Sequence, residues 1–460
     1  MGARDTLAAA DSTRPVVPAL PAPQDTAGRA AAPPARRCQF IIDNVDREGA
    51  KIEVMPGVIN YFAGGNVRFR CANVPVRVAS DSVASYQGQV VQFVGAVRYR
   101  DSTVEMTSDF GTYFKGIEKW EARGRVVLRN LKDGTTLRGP SLDYFLEVPG
   151  VPSRATTEMY ADQRPTVTMP VTDSTGQSND PYVLVADRVR TRGEDQTWGG
   201  GRVTIDRSDF KGRGDSLQMD TGEASAGALI GSAVVRRIAA DSFQLRGLRI
   251  DLDLDNRNLT YVTARDSADL VGTDLSLRGD AIGLDINERE IDQTVAWGKL
   301  IRPVALSNSY EIRGDSLAFD TPQRELKEVR AFTNAWVGAQ PDSAGDRDWV
   351  SGDTVVANFV TRDSAGAKRP ALQRLQATGQ AKSLYRLQQA GQATPSISYT
   401  TADTIIVTMR VTPDSVAVDR VFAHGGVEGL HLQPELVKPD SLRADSLRAR
   451  TDTTGRRRRR

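Results

Sequence analysis

The sequence predicts an all-β protein built from repeats, with disordered ends. Three observations carry this. Apolar residues alternate with polar ones along most of the chain. Two short signatures recur about every 30 residues. No long stretch shows a strong 3.6-residue period.

The alternation is clear in Gly201-Arg-Val-Thr-Ile-Asp206. Val203 and Ile205 fall on one side of such a strand, and Arg202, Thr204 and Asp206 on the other. Val, Thr, Ile, Leu, Phe and Tyr dominate these runs, and Gly, Asp and Asn punctuate them. The best helix candidate, Pro370 to Ala377, is bracketed by Pro370 and Gly379 and spans barely two turns.

The first signature is Gly-x-apolar-x-apolar. It occurs at Gly65, Gly95, Gly124, Gly201 and Gly231, and more weakly at Gly298, Gly379 and Gly425. The steps 65→95, 95→124 and 201→231 are 30, 29 and 30 residues. The second is a small residue followed by Asp, usually then Ser or Thr. It places Asp81, Asp109, Asp187, Asp215, Asp241, Asp280, Asp315, Asp353 and Asp403 in equivalent positions. A fixed period of this length indicates stacked supersecondary units, each covered by its neighbours. The glycine is expected to permit a bend or close backbone approach. The aspartate is expected to bond locally to backbone at a turn.

Composition narrows the function classes. The 460 residues hold 60 Lys+Arg and 58 Asp+Glu, a formal net charge of +2. That balance argues against a general nucleic-acid binder. Two histidines (His424, His431) and two cysteines (Cys38, Cys71) are too few to suggest a His/Cys zinc site or a Cys-His nucleophile. No run approaches the ~20 apolar residues of a membrane-spanning helix. The most apolar N-terminal piece, Pro15–Pro21, is too short and proline-rich for a signal-peptide core.

Five segments follow. Residues 1–37 are Ala/Pro-rich and expected to be disordered. Residues 38–147 form a first β block. Residues 148–181 are dense in Pro, Ser and Thr and are expected to be a linker or excursion. Residues 182–432 form a second block. Residues 433–460 are a basic tail with DSLRA at Asp440–Ala444, again at Asp445–Ala449, and a closing run Arg456–Arg460. The tail is expected to be solvated.

The alternation of Asp units with Gly-x-Val strands resembles the OstA-like family. That family includes the periplasmic bridge protein of lipopolysaccharide transport (LptA) and the N-terminal domain of the outer-membrane translocon (LptD). The match is clearest over 64–145, through Gly64-Gly65-Asn66-Val67, Ser80-Asp81-Ser82, Gly95-Ala96-Val97, Ser108-Asp109 and Gly124-Arg125-Val126. A second block near 182–245 repeats the rhythm, and the remainder follows it loosely. The resemblance implies an extended antiparallel β jelly roll, opened into a V whose apolar interior takes acyl chains. It implies a periplasmic location, with the missing signal explained by a start placed too late or by mature numbering. The implied partners are lipopolysaccharide or a related lipid, other transport components joined by edge-strand pairing, and a second copy joined head to tail. The chain is longer than a minimal bridge protein of the family. It lacks both the C-terminal alternation of a membrane barrel and an N-terminal anchor, so a soluble bridge is the expected class.

The inward positions Val67, Phe69, Val91, Phe93, Val97, Tyr99, Val126, Leu128, Val203 and Ile205 are the candidate lipid-binding groove. Periodicity alone leaves open whether they line a groove or fill a closed core. In an oxidising periplasm Cys38 and Cys71 are candidates for a disulfide; two free thiols are the alternative. Asp251-Leu-Asp-Leu-Asp255 suggests calcium, but alternating Asp on one face more often marks a solvated exterior. A carboxylate ladder built from the recurring aspartates would repeat an active site in every unit, so turn roles explain them better. No catalytic residue, metal or cofactor is expected. The rival reading is a structural β-solenoid with a dry core. A carbohydrate-active β-helix would need a carboxylate or Arg cluster that breaks the repeat, and none stands out.

Overall fold

The computed structural model describes residues 38–433 except 173–177, 223–224, 239–241, 256–257, 274, 288–289, 342–344, 365–366, 388–393 and 413–414. The two terminal tails, residues 173–177 in the Pro/Ser/Thr-rich stretch, and Asp241 lie outside the described residues.

The described chain is almost entirely antiparallel strand, as the alternation requires. It opens with β1 (Phe40–Asn44), β2 (Arg47–Met55), β3 (Val58–Cys71), β4 (Arg77–Tyr86), β5 (Val90–Arg100), β6 (Val104–Phe114), β7 (Lys119–Asn130) and β8 (Thr136–Phe145). Four short strands follow: β9 (Glu158–Asp162), β10 (Thr166–Thr172), β11 (Ser178–Val185) and β12 (Arg188–Arg192). Long strands resume with β13 (Gln196–Arg207), β14 (Phe210–Asp220), β15 (Ala226–Arg237), β16 (Gln244–Asp255), β17 (Asn258–Val271), β18 (Leu275–Asn287) and β19 (Glu290–Trp297). Next come β20 (Val304–Ser307), β21 (Tyr310–Arg313), β22 (Ser316–Asp320), β23 (Glu328–Ala339), β24 (Trp349–Ser364), β25 (Ala367–Leu387), β26 (Ser396–Val411), β27 (Val416–His424) and β28 (Glu428–Leu432).

The registers divide this meander into two walls. Each long strand breaks its pairing near its middle. In β5 the partners of β4 run Val90–Val94 and then Arg98–Arg100, with Gly95-Ala96 bulged opposite Asp81. The two halves of each long strand thus belong to different walls. Wall one begins at β2 and wall two at β1. Between β8 and β13, wall one runs through β9 and β12, and wall two through β10 and β11. The same division recurs between β18 and β23, through β19 and β22 in one wall and β20 and β21 in the other. The walls end at β27 and β28.

Two expectations are corrected here. The 148–181 segment, read as a linker or excursion, supplies β9, β10 and the start of β11, so the two blocks join through both walls. Its Pro165 and Pro170 sit beside the corner and at a register shift, where proline is tolerated. The 370–377 helix candidate lies inside β25, hydrogen-bonded to β24 and β26. Its two flanking strands outweigh local helix propensity.

The corner explains both repeated signatures. In β3, β5, β7, β13, β15 and β25 two successive residues adopt positive φ, the first always glycine. The neighbouring strand carries Asp at the same level. A Cβ on Gly95 would lie 2.2 Å from Asp81 Oδ2, and one on Gly231 2.3 Å from Asp215 Oδ2. The aspartates therefore stand at the fold's spine, between the halves of a strand, and not in hairpin turns. Asp46, which lies between β1 and β2, belongs to the same row and packs on Gly65. Asp109 and Asp187 also receive bidentate guanidinium contacts from Arg125 and Arg202, both on the exposed outer side. These contacts hold both carboxyls below the usual aspartate range.

Cys38 and Cys71 form a disulfide, with Cα atoms 5.2 Å apart. It pins the segment just before β1 to the end of β3. Replacing both by Ser is expected to raise amide exchange in β1 about tenfold or more while leaving β13–β18 unchanged, because local opening is confined to contacting units. Unchanged protection of β1 in hydrogen-exchange mass spectrometry would show that pairing with β3 alone holds it.

Candidate functional site

The walls face each other across one apolar interior. All ten candidate positions lie in it, each between 0 and 7% exposed. Eight meet in the first block. Val91 and Phe93 come from wall one; Val67, Phe69, Val97, Tyr99, Val126 and Leu128 come from wall two. Val203 and Ile205 occupy wall two further along, on β13. They belong to the same contiguous apolar cluster, which reaches Val407 on β26.

Aromatic rings join the walls. Phe69 meets Phe93 edge-on at 5.7 Å, and Phe40 meets Tyr113 at 5.4 Å. Trp120 stacks on Phe93 at 5.2 Å and lies 5.0 Å from Tyr99 on the other wall. Gly111 makes room for it: a Cβ there would approach Trp120 Cζ2 to 2.6 Å. The sequence reading missed Phe40, Met106, Tyr113, Trp120, Leu142 and Tyr144. The signal that finds them is the parity of each strand counted outward from its corner residue.

The interior is filled by these side chains. One apolar void, of about 20 Å³, borders Ile205, Met169, Tyr182, Phe210 and Leu252. That is room for about one water molecule.

Among the described residues, the edges of the walls opposite the spine touch at Tyr144–Asp101 and at Lys132–Glu194. Tyr144, near the edge of wall one, donates its hydroxyl to Asp101 at 3.1 Å, and Asp101 lies in a hairpin at the edge of wall two. Tyr99 donates to the same carboxylate oxygen at 2.9 Å, and Asp101 also accepts from the Thr103 and Val104 backbone N–H groups. Burial, and then the Asp101 charge, push both tyrosine hydroxyls well above their usual range. Lys132 on wall two reaches Glu194 on wall one at 2.5 Å.

Both ends of the roll expose apolar side chains, as do single positions between them such as Leu248 and Leu300. Ile52, Val54, Met55 and Ile59 are exposed on β2 and β3, and Val418, Phe422, Leu430 and Leu432 on β27 and β28. Each end is also a backbone edge without a further strand among the described residues.

The remaining candidates stay apart. Asp251 faces outward and accepts from Arg249 and Arg265. His424 and His431 are exposed on the last two strands. Among the described residues no group of three or more His, Cys, Asp or Glu side chains is placed to hold a metal ion. Among the same residues no helix is long and apolar enough to cross a membrane.

No family model matches the chain, and no curated protein is significantly similar to it.

Proposed function

We propose that the protein is a periplasmic lipid-bridging component of outer-membrane assembly, which shields the acyl chains of lipopolysaccharide or a related lipid between its two walls. The observation that carries this reading is the single apolar interior that continues from wall to wall through the described strands. Acyl chains held there leave water at about 0.8 kcal/mol per CH₂. Entry requires the walls to part, and among the described residues the contacts that oppose parting at the free edges include Tyr144–Asp101, Lys132–Glu194 and the edge-on Tyr99–Tyr144 ring pair. The ends, where the described residues place no further strand, supply the continuation. Their free backbone edges and exposed apolar residues suit strand addition by another transport component or by a second copy. The chemistry is non-covalent, and we propose no enzymatic role.

A second reading has its own support. The ten interior positions are almost fully buried, and the apolar void beside Ile205 measures only about 20 Å³. A structural scaffold with a permanently dry core fits that packing.

Photo-cross-linking separates the two. A benzophenone amino acid at Phe40 or Phe69, near the β1 end, is expected to capture lipid in cells that make lipopolysaccharide. The same probe at Gln92, which points outward from β5, is expected to capture none. Folded protein with no lipid adduct from either interior position would leave the scaffold reading in its place.

A further inference from the structure

The outer face of wall one carries a groove of about 610 Å³ across β9, β12, β13 and β14. It arises from two adjacent cross-strand rows. In one row Tyr160, Arg190, Trp198 and Gln218 stand side by side. The Arg190 guanidinium lies 5.2 Å from the Tyr160 ring and 5.3 Å from the Trp198 ring, so the three planes form a ladder. Glu158 fixes it from below, accepting from Tyr160, Arg190 and Arg192. Burial alone would raise the Glu158 carboxyl, but the Tyr160 hydroxyl and the two guanidinium groups hold it below its usual range.

In the second row Asp162, Arg188, Gly200, Ser216 and Ile230 follow one another. Gly200 has no side chain and Ser216 a small one, so this row sinks below the ladder. Arg188 leans across the gap: a Cβ on Gly200 would lie 3.0 Å from its Nε. Asp162 and Arg188 are direct cross-strand partners and both are exposed, yet among the described residues neither side chain makes an ion pair or hydrogen bond.

We propose that this groove is a saccharide-binding site. A pyranose has apolar C–H faces and a rim of hydroxyls. The edge formed by Trp198 and Tyr160 offers an amphipathic aromatic surface to the former. The uncommitted Arg188 and Asp162 offer a donor fork and an acceptor to the latter. Nucleic acid fits less well, because a carboxylate stands in the groove and the lining is not uniformly basic. The site lies on the outer face and does not rest on the proposed role of the interior.

The test is calorimetric titration of the full chain with maltotriose, tri-N-acetylchitotriose and trigalacturonate. At least one is expected to bind with a dissociation constant near or below about 1 mM, and Arg188→Gln and Trp198→Ala are each expected to weaken it roughly tenfold or more. Gly200→Val is the filling variant. Gly200 lies in ordinary extended backbone and its nearest neighbour is the movable end of Arg188, so the variant is expected to fold and to lose binding. Circular dichroism and melting of each variant guard against reading unfolding as loss. Binding confined to phosphatidylcholine vesicles carrying lactosylceramide, and lost in the same variants, would place the sugar on a lipid head group. No binding to any of these probes, or equal binding by wild type and Gly200→Val, would overturn the proposal.

Discussion

Trp120→Ala is expected to destabilise the first block by about 3–5 kcal/mol, the range for deleting a large buried aromatic side chain. Trp120 is 1% exposed and bridges the walls: it stacks on Phe93 and lies tilted beside Tyr113 on its own side, and lies tilted against Tyr99 opposite. Its neighbours are strands held on both sides by hydrogen bonds, so they cannot collapse far into the space it leaves. Trp120→Phe is expected to lose much less. It keeps most of the ring contact, and it removes an indole N–H that is buried without a partner. The check is urea denaturation followed by far-UV circular dichroism. In a stacked architecture each unit depends mainly on its neighbours. The loss is therefore expected as an early transition confined to the first block, with the later strands unfolding near their original midpoint. A shift of less than about 1 kcal/mol would mean that the two walls are not held together through this cluster.

The strand character and the inward residues were legible because a two-residue period has only one structural interpretation over so many runs. The corner was only half legible. Gly95 and Asp81 were visible as separate signatures. That they touch follows from a further regularity, the nearly constant offset between an Asp and the next Gly, as from 81 to 95, 109 to 124 and 187 to 201. Where the spine changes chemistry the pattern fails. Asp266-Ser267 and Thr333-Asn334 take positive φ without glycine, and Pro140 and Leu248 stand where other strands carry Asp. The outer groove was invisible for a different reason. Tyr160, Arg190, Trp198 and Gln218 become neighbours only through register, and no local pattern joins them. Nor could alternation distinguish a groove from a core, because both need apolar residues inward. The packing bears directly on how that question is tested. Val97 is 1% exposed and packs beside Gly111 and Trp120. A carboxylate there would be buried unpaired, so Val97→Asp acts on folding before it acts on any lipid.

The corner itself yields the most specific energetic test. Gly95 has φ +80°, a conformation that costs an L-residue about 1–2 kcal/mol. Its added Cβ would also meet Asp81 at 2.2 Å from Oδ2 and 2.9 Å from Cβ. Gly88, in the hairpin between β4 and β5, has φ +64° and nothing within 4 Å of its would-be Cβ. Gly88→Ala therefore isolates backbone strain, and about 1 kcal/mol is expected. Gly95→Ala adds the collision, and about 2–4 kcal/mol is expected. If the excess comes from the carboxylate, Asp81→Ala introduced together with Gly95→Ala must recover part of it. The double variant should then lose less than the sum of the single losses by roughly 0.5–2 kcal/mol. Strict additivity would mean that the aspartate yields freely, and that its recurrence beside each glycine serves something other than the packing of the corner. A coupling of the expected sign would make the Gly–Asp contact the unit that bends each strand and so sets the angle between the walls.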